Sequence, residues 1–146
     1  MSKNIDLFTQ QAYEIFALLW ENFPVPQVIT YAKFDADISP TYMDKSHIQE
    51  KKSRYEIRKV VDGTFSFLME NGYIQYETDK MTLFRNVRLT AKSLTILTTI
   101  TENSVNHETI GDKIVGAAKN GTPEVIASTL NLIFIAAVRR STVEEK

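Results

Sequence analysis

The chain has 146 residues, a formal net charge of −1, 43% hydrophobic and 24% charged residues, and no cysteine. That length fits one domain, or one domain with an appended element, and buries about 70% of the unfolded chain's surface without a metal or a crosslink. The lack of cysteine excludes disulfides, thiolate metal sites and thiol nucleophiles, and the near-zero charge sets the chain apart from strongly basic nucleic-acid binders.

A first helix is expected from Ile5 to Asn22, where Leu7, Phe8, Ala12, Ile15, Phe16, Leu19 and Trp20 recur at steps of three and four. Pro24 and Pro26 end it. Val28–Tyr31 has β-type composition and reads as a short strand, with a brief helix from Thr30 as the alternative. Asp35–Thr41 is polar, contains Pro40 and reads as a loop. From Tyr42 to Asn71 the pattern is helical and long for one helix of a small domain, so a break is expected near Lys51–Ser53 or at Asp62-Gly63. The favoured division is a second helix ending near Lys51 and a third from about Ser53 to Asn71. Ile57, Val60, Val61, Phe65 and Leu68 would then face the core.

Gly72 stands where a left-handed helix end is expected. Tyr73–Tyr76 follows as a strand, Thr78-Asp79-Lys80 as a turn and Leu83–Leu89 as the returning strand. Strict alternation puts Leu83, Arg85, Val87 and Leu89 on one face and Phe84, Asn86 and Arg88 on the other. Thr90 is a candidate N-cap for a helix striped by Leu94, Leu97 and Ile100, with Ile96 nearby. After the polar linker Asn103–His107, a helix is expected from Thr109 to Lys119, stopped by Asn120-Gly121. Thr122-Pro123-Glu124 opens the last helix.

No Ser-His-Asp arrangement, phosphate-binding loop or dinucleotide fingerprint is present, so an enzyme is not expected. His47 and His107 lie far apart without carboxylate clusters at ligand spacing, and no metal or cofactor is expected. Tyr31, Tyr42, Tyr55, Tyr73 and Tyr76 read as packing residues. The N-terminus lacks a basic segment followed by an apolar core, and the longest apolar run, Leu132–Val138, is far short of the ~20 residues a membrane span needs. No membrane association and a cytoplasmic location are expected.

Charge is unevenly spread. Residues 1–42 carry two lysines against five acids, residues 43–59 six basic side chains against three acids, and residues 77–92 four against two. The pattern Phe65-x-x-Leu68-x-x-x-Gly72-Tyr73-Ile74, a charged hairpin, and Leu89-Thr90-x-Lys92-x-Leu94-x-x-Leu97 resembles the winged-helix superfamily of helix-turn-helix proteins over about residues 5–100. Ser93 departs from the glycine that many members have there. The resemblance implies a mainly α fold with a small β-hairpin wing (α+β), followed by C-terminal helices, with residues 1–102 as the winged helix and 103–146 as a helical extension. It also implies a DNA-binding regulator, with the helix before Gly72 in the major groove. The implied contacts are Lys51, Lys52, Arg54, Tyr55, Arg58 and Lys59, with Lys80, Arg85 and Arg88 in or near the wing. The different-class reading is a protein-interaction or assembly module with no DNA role, favoured by the net charge.

Val125–Val138 is apolar almost all round, interrupted by Ser128, Thr129 and Asn131. A helix on the surface of one domain needs a single apolar stripe, so a homodimer is expected, with Leu130, Ile133, Phe134 and Ala137 at its interface. The alternative sandwiches this helix within one chain, between the first helix and residues 109–119.

Overall fold

The computed structural model describes residues 3–36, 48–79, 83–101 and 107–144, without the side chains of 48–52, 120 and 137–144. Helix α1 (Lys3–Glu21) buries Ala12, Tyr13, Ile15, Phe16 and Leu19, the apolar positions of its three- and four-residue steps. Strand β1 (Gln27–Thr30) leads directly into a single 3-10 turn, Tyr31–Phe34. The expected strand and its helical alternative are therefore both present, in succession. Tyr31 and Phe34 are buried.

Helix α2 (Ile48–Glu70) is continuous. This corrects the expected division into a second helix ending near Lys51 and a third starting near Ser53. No proline interrupts the span, and its one glycine, Gly63, costs only about 1 kcal/mol relative to alanine. Burial of Val61, Phe65 and Leu68 outweighs that cost. Ile57 and Val60 are half-buried. The rest of the expected second helix, and the histidine at 47, lie outside the described residues.

Gly72 (φ 79°) ends α2 as expected. Its N–H donates to the Met69 carbonyl at 3.0 Å and the Tyr73 N–H to the Leu68 carbonyl at 2.8 Å, the paired bonds of a left-handed helix stop. Strands β2 (Ile74–Thr78) and β3 (Leu83–Leu89) form the hairpin, and helix α3 (Ala91–Leu97) follows. Thr90 caps α3, accepting from the Ser93 N–H at 3.2 Å. The same junction reaches back to the end of α2. The Thr90 hydroxyl donates to the Gly72 carbonyl at 2.5 Å, Lys92 Nζ to the Asn71 carbonyl at 2.8 Å, and Ser93 Oγ to the Tyr73 carbonyl at 2.6 Å. The Leu89-Thr90-x-Lys92-Ser93 stretch is thus a clamp that fixes the hairpin on the helix before it. Because α3 stops at Leu97, Ile100 is not on its stripe; it is exposed and bridges to Thr109.

The sheet is antiparallel in the order β1-β3-β2, so the last strand in sequence is central. Helices α4 (Ile110–Asn120) and α5 (Pro123–Glu144) complete the chain. Thr109 and Thr122 cap them, accepting from the N–H groups of Asp112 at 3.1 Å and Val125 at 3.3 Å. The fold is α+β, with five α-helices and one three-stranded sheet among the described residues. Val61, Phe65, Leu68, Ile74 and Leu97 share one core with Phe16 and Leu19, as expected. Ile110, Ile114, Ile126, Leu130 and Ile133 belong to that same core, so the apolar interior is not divided near residue 102. Among the described residues no helix is long and apolar enough to cross a membrane.

Candidate nucleic-acid interface

The basic side chains singled out by sequence fall into two groups. On α2, Tyr55 and Lys59 are exposed, while Arg54 and Arg58 are half-buried. Arg58 has a task inside the fold: its guanidinium carbon lies 3.7 Å from the centre of the Tyr31 ring. One turn further along α2, Asp62 Oδ1 accepts from the Tyr31 hydroxyl at 2.5 Å. Arg58 and Asp62 therefore hold Tyr31 between them and tie the 3-10 turn to α2. Burial raises the Tyr31 pKa, and the bond to Asp62 adds to the rise. Lys51 and Lys52 lie on the α2 backbone, but their side chains are outside the described residues, as is Lys80 altogether.

The second group is on β3, where the structure corrects the expected alternation. Gln75 pairs with Arg88 and Glu77 with Arg85, so three steps on β3 oppose two on β2. The β1 side shows the same slip, with Gln27 opposite Val87 and Ile29 opposite Phe84. This is a β-bulge, and Asn86 within it has a φ of 50°. Asparagine tolerates that left-handed conformation better than most residues. The extra residue resets the pleat: Phe84, Val87 and Leu89 are all buried and Arg85 and Arg88 are both exposed. The two arginines thus share the outer face of the sheet instead of lying on opposite faces.

That face is polar and internally bonded. Arg88 Nε donates to Gln75 Oε1 at 3.2 Å, and Asn86 Nδ2 to Glu77 Oε2 at 3.1 Å. Sequence reading missed Asn86 and Gln75; an asparagine inside a strand pattern was the available signal for the bulge. The inner face packs against α2: Phe65 stacks on Phe84 with ring centres 3.7 Å apart and meets Tyr76 edge-on at 5.3 Å. Arg85 and Arg88 consequently lie on the face of the sheet opposite the one packed on α2.

Helix α5 corrects most of the expected dimer contact. Leu130 and Ile133 are buried within their own chain, at 3% and 0% exposure. Phe134 is half-buried among the rings of Phe8, Phe67 and Tyr73, at centroid distances of 6.5, 6.3 and 5.5 Å. The Ala137 side chain is outside the described residues. The helix packs on α1, α3 and α4, which is the sandwiched alternative. Among its described side chains, the large apolar ones covered least are Val125 and Ile135, at 43% and 48% exposure.

Among the described residues no group of three or more histidine, aspartate and glutamate side chains is placed to hold a metal ion. His107 is exposed. No family model, curated protein or solved structure matches the chain.

Proposed function

We propose that the chain binds duplex DNA through α2, as a winged-helix regulator. The observation that carries this reading is the order of elements: a helix, a short edge strand, a turn, a long helix with an exposed basic side chain, and a hairpin whose second strand is central. In that arrangement α2 enters the major groove and the hairpin flanks it. Lys59 and Tyr55 are its exposed candidates, joined in sequence by Lys51 and Lys52. Arg58 acts as a positioning residue, since its guanidinium lies over Tyr31.

Binding of labelled random duplex, followed by anisotropy against salt, tests the reading. Wild type should bind at low salt with a log–log slope that falls by about one unit for each phosphate contact removed. Replacing Lys51, Lys52 and Lys59 with glutamine should therefore flatten the slope. Arg85→Gln/Arg88→Gln should change it little, because the outer sheet face points away from α2. No binding of wild type at low salt would sink the proposal.

A protein-interaction module is the second reading. Two observations favour it: Glu56, Asp62 and Glu70 share the exposed surface of α2 with Lys59, and Arg85 and Arg88 lie on the sheet face opposite the one packed on α2. If the DNA reading holds and two copies bind a two-fold site, their contact has to use surface other than Leu130 and Ile133.

A further inference from the structure

A groove of about 490 Å³ opens between α3, α4 and α5. Six aliphatic side chains line it: Ile96, Ile100, Ile110, Leu132, Ile135 and Ala136. The hydroxyls of Thr95, Thr99 and Thr101 also reach it, but each donates to a backbone carbonyl, those of Ala91, Thr95 and Glu108. Among the described residues Lys113 is the one charged side chain in the lining, and no carboxylate pairs with it. Ile100 and Ile135 stand 53% and 48% exposed at this groove. The volume is in the range of small-molecule sites, which combine apolar walls with a few polar groups that set orientation.

We infer that this groove binds a small aliphatic carboxylate, its chain along the isoleucines and its head group on the Lys113 ammonium. A neutral lipid would leave the ammonium unused, and a cationic one would meet it with like charge. Among the described residues no aromatic side chain lines the groove to favour a planar ring. The inference is independent of the DNA reading, because it concerns another surface and is measured without DNA.

Calorimetric titration of the full chain with octanoate and decanoate, below their aggregation concentrations, tests it. Binding should saturate at one per chain and tighten by about two- to fourfold for each added methylene. Lys113→Gln should weaken decanoate by about two- to fivefold and leave decanol unchanged. Ile135→Gln, at a half-exposed position, should weaken both. Glu124, which lines the adjoining depression with Lys113, opposes the anion, so Glu124→Gln should tighten decanoate slightly. Equal affinity for decanoate and decanol, or indifference to Lys113→Gln, would overturn the inference. So would absence of saturable binding; light scattering at twice 16.7 kDa would then identify a second copy as the occupant.

Discussion

The two sides of α1 are packed by different means. Toward the sheet the core is aromatic: Phe65 and Phe84 stack at 3.7 Å, Tyr76 meets both edge-on, and Tyr31 and Phe34 close the margin. Toward α4 and α5 the core is mainly aliphatic, built from Ile110, Ile114, Ile126, Leu130 and Ile133, with Phe134 of α5 adding one ring against Phe8, Phe67 and Tyr73. Ring stacking fixes how a thin sheet sits on a helix, since each ring covers a large area in few orientations. Helices packed mainly by aliphatic side chains rely more on how closely the two helices approach. At Gly111 the α4 backbone comes so near the Trp20 side chain that a Cβ would overlap its indole.

The largest expected effect tests whether the two sides are one unit. Phe65→Ala should cost about 3–5 kcal/mol, the transfer of a large ring plus the cavity left behind. Trp20, the one tryptophan, lies on the helical side against α4. Its fluorescence transition in denaturant should shift together with the far-UV circular dichroism. A Trp20 transition left in place by Phe65→Ala would mean two cores that unfold separately. Next in size is Gly111→Ala, which should cost about 1–3 kcal/mol through overpacking. A neutral result in chemical denaturation would show that α4 can slide on α1.

The difference between the two sides also explains what could be read from the sequence. The helix stop at Gly72, the strand ending at Leu89 and the caps at Thr90 and Thr122 are local signals, and they stand where expected. The continuity of α2 and the bulge at Asn86 are decided by tertiary packing. Phe65, Leu68 and Val61 hold a helix that spacing alone would break, and Phe84 and Val87 both turn inward although two residues separate them in the chain. The same packing moved the candidate site: it put Arg58 over Tyr31, turned Arg85 and Arg88 away from α2, and sent Leu130 and Ile133 inside. Charge and hydropathy mark which residues can bind a partner; only the packed core decides which of them face one.

Each side also holds a buried tyrosine whose hydroxyl is hydrogen-bonded within the fold. Tyr31 donates to Asp62, and Tyr13 donates to the Ile114 carbonyl across α1 and α4. Tyr31→Phe and Tyr13→Phe should each cost about 0.5–1.5 kcal/mol. Burial pushes the Tyr13 pKa up to about 12 from an ordinary value of 10.0. The unfolded chain therefore ionises first on raising the pH. The Tyr13 contribution is complete below pH 10 and is lost as pH approaches about 12. Equilibrium unfolding at pH 8 and pH 11 should show a smaller alkaline loss in Tyr13→Phe than in wild type, and an identical loss would contradict the assignment.

The smallest effect has the opposite sign. Gly63 lies in the interior of α2, is exposed, and has no atom within 4 Å of where a Cβ would stand. Its backbone is helical, so alanine adopts the same conformation without strain, and fewer unfolded conformations remain to be lost on folding. Gly63→Ala should stabilise the chain by about 0.5–1 kcal/mol, which a guanidinium melt resolves as a higher midpoint at unchanged slope. The same methyl sharpens the comparison. Glycine is tolerated in α2 because ring packing a few residues away at Phe65 already fixes the helix, whereas Gly111 is required because the Trp20 indole fills the space its Cβ would need. Alanine should therefore raise stability at 63 and lower it at 111. A destabilised Gly63→Ala would show that this stretch of α2 is bent or covered, and that the space beside it is as tight as that beside Gly111.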